Sequence, residues 1–175
     1  MNEVIQAMKD RRSIRKFKSN MPPKEAIKQI IEAGLYAANG RGKQATITIA
    51  VTNKELRDKF SKINREIGGW DEGFDPFYGA PVILIVLADK ECLTGIYDGS
   101  LVMGNMMLAA HSLGLGSIWI HRAKEEFESE FGKQILSDLG IEGNYEGIGH
   151  CAIGYAAEPA KEPAARKDNY VYFVK

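Results

Sequence analysis

Residues 82–88 form an unbroken run of apolar side chains (VILIVLA), and this run limits what the chain can fold into. Successive side chains of a strand point to opposite faces, so a run without polar positions predicts a strand buried on both faces. Such a strand needs packed layers on either side of its sheet. Residues 98–113 are apolar nearly all round, which predicts a central helix for one of those layers.

The remaining periodicity alternates between helical and strand spacing. It predicts an α+β fold in one domain, residues 1–175, with a mixed sheet flanked by helices and an extended tail over residues 161–175. A length of 175 residues fits one such domain. Asn53 is placed to cap a helix. Helices are also predicted over residues 2–10 and 125–139, and further strands over residues 46–52, 117–121 and 147–156.

The charges of the chain balance in number but not in position. Lysine plus arginine and aspartate plus glutamate each total 23, which argues against a nucleic-acid partner or a membrane surface. Residues 1–18 nevertheless carry a net charge of +4, residues 161–175 carry +2, and the segment between them carries −6. Two cysteines, no secretory signal and no apolar stretch long enough to cross a bilayer lead us to expect a cytoplasmic protein.

The first candidate site is the basic segment of residues 11–16 (RRSIRK). Arginine offers forked donors and serine adds a short hydroxyl, a combination suited to a phosphate group. A solvated basic loop would look the same. RNA is a further possibility, but the segment lacks interleaved aromatic residues on which bases could stack.

The second candidate is the glycine loop of residues 39–44 (NGRGKQ). Residues 37–44 approach a phosphate-loop pattern, but Gln44 stands where serine or threonine would hold magnesium, and the predicted order is helix–loop–strand rather than strand–loop–helix. We therefore reject a nucleoside triphosphatase. The loop either brings backbone close to a flat ligand or is a plain connector.

The third candidate is the end of the strand in residues 114–122 (GLGSIWIHR). Backbone N–H groups at a strand end can donate to an anionic ligand edge, Trp119 offers an apolar wall, and His121 is a candidate general acid or a simply hydrogen-bonded side chain. His111 and His150 fit structural roles, and the spacing of the three histidines predicts no metal site. Without a serine-elbow, paired-carboxylate or Cys–His pattern, an enzyme of this sequence would rely on a cofactor.

These segments, in this order, resemble the FMN-dependent nitroreductase family. The resemblance rests on RRSIRKF after a short helix, AGLYAA before the loop ending at Gln44, GAPVILIV at residues 79–86, LGLGSIWI at residues 113–120, and IGY before a Pro-rich basic tail. It covers essentially the whole chain. The implied protein is an α+β flavoprotein that forms an intertwined homodimer by exchange of its C-terminal tail, with two FMN sites at the subunit interface.

The resemblance also implies roles for individual residues. It gives FMN-binding roles to the basic segment, to Gln44 near the flavin, to the strand end whose backbone N–H lies near flavin N5, and to the tail. In the order of the chain these residues are Arg11, Arg12, Ser13, Arg15, Gln44, Trp119, Ile120, His121, Arg166 and Lys167. Ala38-Asn39 stands where many members carry Pro-Ser, and Gly42 where many carry Asn.

The function expected from the resemblance is transfer of hydride from NAD(P)H through FMN to a nitroaromatic, quinone-like or related small acceptor. The alternative is an FMN-binding protein without nitroreductase turnover: a flavin carrier, a redox sensor, or a member that destroys flavin or removes halogen. An RNA-binding module is a third hypothesis, which would require steeply salt-dependent binding. The aromatic loop of residues 68–81 is expected to be a lid or a partner contact.

Overall fold

The chain forms a four-stranded sheet with helices on both faces in the computed structural model, which describes residues 2–175. The strands are β1 (Thr46–Val51), β2 (Val82–Asp89), β3 (Gly116–Ile120) and β4 (Tyr145–Gly154). The helices are α1 (Glu3–Asp10), α2 (Lys24–Leu35), α3 (Lys54–Gly68), α4 (Gly95–Ser112), α5 (Ala123–Glu128) and α6 (Glu130–Asp138). The α+β class and the sheet flanked by helices are confirmed.

The strand order is β1-β2-β4-β3, and all three pairings are antiparallel. Within residues 2–175, parallel pairing is limited to an isolated bridge between Ser13 and Ser117. That bridge lays the basic segment along the outer edge of β3. The segment therefore joins the sheet at the strand whose far end was the third candidate site.

Strand β2 is buried on both faces, as its sequence predicts. Ile83, Ile85 and Leu87 belong to the cluster under α3, α5 and α6, which contains Phe60 and Phe127. The alternate residues, from Val82 to Ala88, belong to the cluster under α2 and α4. The alternation of side chains along one strand thus supplies both halves of the core.

Helix α4 differs from its prediction in two ways. It begins at Gly95, three residues before the predicted start, and its outer face is exposed in the single chain. Met103 and Met106 are fully buried, whereas Tyr97 is 72% exposed and Leu101 is 50% exposed. The apolar residues all round this helix are therefore covered by the sheet and α2 on one side only.

The predicted helix over residues 125–139 is wrong as one element, because it is broken at Ser129. This residue has extended backbone (φ −76°, ψ 163°), and its side-chain oxygen accepts from the backbone N–H of Gly132. A Cβ at Gly132 would lie 2.3 Å from the carbonyl oxygen of Glu126, so the two short helices approach more closely than any other residue would allow. The periodicity of the segment does not reveal this turn.

The C-terminal segment pairs with the basic segment and then becomes exposed. The backbone N–H of Ala157 donates to the carbonyl of Lys16, and that of Lys18 donates to the carbonyl of Tyr155. Residues 157–175 form neither helix nor strand, and they are exposed throughout. None of the helices within residues 2–175 is long and apolar enough to cross a membrane. The homodimer and the exchange of the tail stay predictions.

Candidate functional site

The basic segment and the basic tail line one cleft of about 790 Å³. Four of the predicted residues, Arg11, Arg12, Ser13 and Arg15, lie on one side, and Arg166 lies on the other. The lining contains six cationic side chains, Lys9 and Lys161 among them, against the single carboxylate of Glu162. The positive potential of such a cleft favours an anionic ligand.

Arg11 and Arg12, which line this cleft, each carry a buried guanidinium nitrogen. Arg11 Nη1 and Arg12 Nε are buried, and neither has a hydrogen-bond partner among the described residues. The Arg12 guanidinium is fixed through another of its nitrogens, because Nη1 donates to the carbonyls of Lys9 (2.6 Å) and Arg11 (2.7 Å). An unpaired buried donor is costly, and a ligand acceptor that reached either nitrogen would remove that cost.

Strand β3 holds the basic segment in place. The backbone N–H of Ile14 donates to the carbonyl of Ser117 at 3.0 Å, beside the Ser13–Ser117 bridge. Gly116 makes this approach possible, because a Cβ there would lie 2.7 Å from Ile14 Cγ1. Gly116, the first residue of β3, therefore has a physical role: it leaves room for the basic segment.

The tail reaches the cleft only in part. Arg166 lines the cleft, and its guanidinium Nη2 donates to the carbonyl of Ala164 at 2.7 Å. Lys167 is not part of the lining, and its Nζ lies 5.2 Å above the ring of Tyr170. The two basic ends of the chain thus meet, as the resemblance implied, although the role of Lys167 stays a prediction.

The other end of β3 carries the strand-end residues. His121 is four residue steps along the strand from Ser117, so the cleft and the strand end lie about 13 Å apart along β3. Trp119 is half-buried against Gly149 of β4, where a Cβ would lie 2.4 Å from the indole Nε1. Ile120 is buried in the opposite cluster, and His121 is exposed beyond it. An elongated ligand with an anionic end could follow β3 from one candidate site to the other.

Gln44 lies apart from this arrangement. It lines a different cleft, with Asp89, Cys92 and Tyr145, and its backbone is left-handed (φ 49°). Its N–H donates to the Asn39 side chain at 3.0 Å. The structure of one chain therefore does not bring Gln44 to the arginine cleft, and its predicted role beside the flavin stays a prediction.

The aromatic loop is held against the body of the chain beside the strand end. Trp70, Phe74 and Tyr78 form a ladder with ring centroids 5.1 and 5.8 Å apart, and the Arg122 guanidinium lies 4.4 Å above Trp70. Arg122 follows His121 directly and has a left-handed backbone (φ 77°). The loop therefore borders the end of β3.

An ion pair under the loop fixes its position. Asp75 accepts from the buried Arg57 guanidinium, from Ser61 Oγ at 2.8 Å and from the N–H of Gly79 at 2.7 Å. Burial alone would raise the pKa of Asp75, but the hydrogen bond and charge of Arg57, with the other two donors, hold that pKa below its usual value. The loop is thus anchored by a carboxylate that stays ionised at neutral pH.

Neither cysteine is paired. Burial raises the pKa of the Cys151 thiol to about 12, although the charge of nearby Arg11 acts in the opposite direction. Cys151 is therefore an inert part of the core at neutral pH. Within residues 2–175, no three His, Cys, Asp or Glu side chains are grouped to hold a metal ion.

The comparisons with known proteins agree on one family. A sequence model of the nitroreductase family matches residues 8–68 and 70–155. The chain is 31% identical over 140 residues to the FMN reductase [NAD(P)H] of Bacillus subtilis, an alignment that covers 67% of this chain and 53% of that protein. The chain thus spans about half the length of that curated relative.

Two solved structures cover the whole chain. The nitroreductase with bound FMN from Bacteroides fragilis superposes with a TM-score of 0.88 at 28% identity, over 100% of both chains. The nitroreductase with bound FMN from Desulfitobacterium hafniense gives 0.89 at 27% identity, again over 100% of both. Fold, ordered motifs and family match agree, and this chain belongs to the nitroreductase family.

Proposed function

We propose that the chain is an NAD(P)H-dependent FMN oxidoreductase that holds the FMN phosphate in the arginine cleft. The observation that carries the proposal is the cationic cleft itself, which gathers the guanidinium donors of Arg11, Arg12, Arg15 and Arg166. These donors fit the phosphate of FMN, and each charge-assisted hydrogen bond to it would contribute about 1.5–3 kcal/mol. The FMN-bound relatives and the reductase names of the curated relatives support the same cofactor.

Each part of the site has a task in this proposal. Arg11, Arg12, Ser13 and Arg15 bind the phosphate end, while Arg166 and Lys167 would close over it from the tail. The backbone at Trp119, Ile120 and His121 orients the ring end, about 13 Å along β3. When bound, FMN supplies the chemistry of the family, accepting hydride from a nicotinamide and passing electrons to an acceptor.

The acceptor side of the proposal rests on the surroundings of the strand end. His121 is exposed there and stays the candidate proton donor. Trp70 and Phe74 offer flat apolar surface beside it, and both are more than a third exposed. A small nitroaromatic or quinone-like acceptor would match such walls, and the cationic Arg122 over Trp70 would favour one that carries negative charge.

A homodimer is part of the proposal. Large apolar side chains are exposed on α1, on the outer face of α4 and along the tail, including Val4, Ile5, Tyr97, Leu101 and Phe173. A surface this apolar supports an interface with a second copy of the chain. A second copy would also explain how Gln44 could reach a flavin, since Gln44 is remote from the cleft of its own chain. The two unpaired cysteines agree with a reducing, cytoplasmic location.

The test is the visible spectrum of the purified protein, followed by anaerobic mixing with NADH and NADPH. We expect a yellow protein whose flavin absorbance bleaches with a nicotinamide and returns when a nitroaromatic or quinone is added. Light scattering should give twice the mass of the chain. A colourless protein that ignores added FMN would overturn the proposal, and a yellow protein that neither nicotinamide reduces would favour a flavin carrier or sensor instead.

A further inference from the structure

A chain of three buried polar side chains lies beneath the end of β3. Asn64 of α3, Glu126 of α5 and His150 of β4 are each fully buried. Asn64 Nδ2 donates to Glu126 Oε1 at 2.8 Å, and His150 Nε2 lies 2.6 Å from Glu126 Oε2. Glu126 is thus the centre of a network that joins three elements.

Both ends of this network bind backbone carbonyls of the strand end. His150 Nδ1 lies 3.3 Å from the Ile120 carbonyl oxygen, and Asn64 Nδ2 also donates to the His121 carbonyl oxygen at 2.9 Å. A trans peptide group is planar, so its N–H points opposite to its C=O. The network therefore turns the N–H groups of His121 and Arg122 away from itself.

Burying this polar network among apolar side chains costs free energy, so a contribution to stability alone does not account for it. It is packed against aromatic rings, with the centroid of Phe77 5.1 Å and that of Phe60 6.3 Å from the His150 ring. Asn64 Oδ1 is buried without a partner among residues 2–175, an arrangement that costs about 1–3 kcal/mol. Apolar residues of the same volume often stabilise such a position as well or better.

We propose that Glu126 is a positioning residue which, through His150 and Asn64, directs the N–H groups of His121 and Arg122 toward the flavin ring. The inference rests on the proposed function, because it needs the ring to lie at this end of β3. Glutamine at position 126 can keep both contacts, accepting from Asn64 and donating to His150 Nε2. Leucine can keep neither.

The first test needs no flavin. The proposal requires a proton on His150 Nδ1, which then donates to the Ile120 carbonyl, and the ¹⁵N chemical shifts of the ring report where the protons lie. The amide resonances of His121 and Arg122 should move in Glu126→Leu and stay close to wild type in Glu126→Gln. An unprotonated Nδ1 in the wild-type protein would overturn the proposal even if the leucine variant failed to fold.

The second test uses riboflavin, which presents the flavin ring without the phosphate. We expect Glu126→Leu to weaken riboflavin binding about tenfold, while Glu126→Gln stays within about threefold of wild type. The control is Ile30→Ala, which opens a cavity in the opposite cluster, far from the network, and should leave riboflavin affinity unchanged at a similar loss of stability.

The outcomes separate the two proposals. Equal effects of leucine and glutamine at position 126, or of Glu126→Leu and Ile30→Ala, would show a merely structural role and overturn the positioning proposal. A wild-type protein that binds neither FMN nor riboflavin would instead overturn the proposed function. The amide resonances and the His150 protonation would then still decide whether the network orients the strand end.

Discussion

Gly116→Ala tests whether the contact between β3 and the basic segment creates the phosphate site. The new Cβ would lie 2.7 Å from Ile14 Cγ1 and 3.1 Å from Ile14 Cβ, whereas ordinary contact begins at 3.4 Å. Because one of these atoms is close to the backbone, rotation of the side chain cannot remove the overlap. The segment must move away from Ser117, or the hydrogen bond from Ile14 must lengthen.

Gly116→Ala should lower both the free energy of unfolding and the affinity for FMN. Overpacking of this kind costs about 1–3 kcal/mol of unfolding free energy. A displaced segment also misaligns hydrogen bonds to a phosphate worth about 1.5–3 kcal/mol each, so loss of one corresponds to a fall in FMN affinity of at least about tenfold. Urea unfolding measures the first effect, and fluorescence titration of the apoprotein with FMN measures the second.

The matched control and the rescue sharpen this test. The control is Lys62→Ala, which changes an exposed side chain on α3 and should leave both measurements nearly unchanged. Ile14→Ala in the Gly116→Ala background removes the clashing Cγ1 and should show a coupling of about 1 kcal/mol or more between the two sites. If Gly116→Ala matches wild type in stability and FMN affinity, the reasoning is refuted.

Three further predictions concern the loop, the thiols and the tail. Asp75→Asn should lower the free energy of unfolding by about 2 kcal/mol at pH 7, because it leaves the buried Arg57 with a weaker partner. The folded-state pKa of Asp75 is lowered, so the difference from wild type in urea unfolding should shrink as the pH falls below about 3.8. A difference that does not change with pH would contradict the ion pair. At pH 8 a thiol reagent should react only with Cys92 in the native protein and with both thiols in urea, since burial raises the pKa of Cys151 to about 12. Fast reaction of both thiols in the native protein would contradict the burial of Cys151. Deletion of residues 159–175 should weaken FMN binding and the dimer, as light scattering and FMN titration would show, and a dimeric truncation with full FMN affinity would exclude the tail from the site.

The sequence predicts the strands better than it predicts where helices break or which surfaces stay exposed. Strand β2 is predictable because its run of consecutive apolar residues fits a strand that is buried on both faces. The break at Ser129 depends on the close approach of Gly132 to the Glu126 carbonyl, a contact with no periodic signal. The exposed face of α4 arises because one chain covers only part of an all-apolar helix.

The candidate site was predictable to a similar extent. The basic segment can be recognised from its residue types, whereas its meeting with Arg166 was implied only by the family resemblance. The network beneath the strand end carries no such signal. Asn64 and Glu126 are 62 residues apart on amphipathic helices, where polar residues usually face solvent, and only the folded chain brings them to His150.

The most direct test of the arginine cleft compares FMN with riboflavin, which differ by the phosphate. Wild-type apoprotein should bind FMN about a hundredfold tighter than riboflavin, through at least two charge-assisted hydrogen bonds. Arg11→Met should lower that ratio about tenfold or more with little change in riboflavin affinity, whereas Lys62→Met, which removes an exposed charge on α3, should leave it unchanged. An FMN-to-riboflavin ratio that is the same in wild type and Arg11→Met would contradict the account.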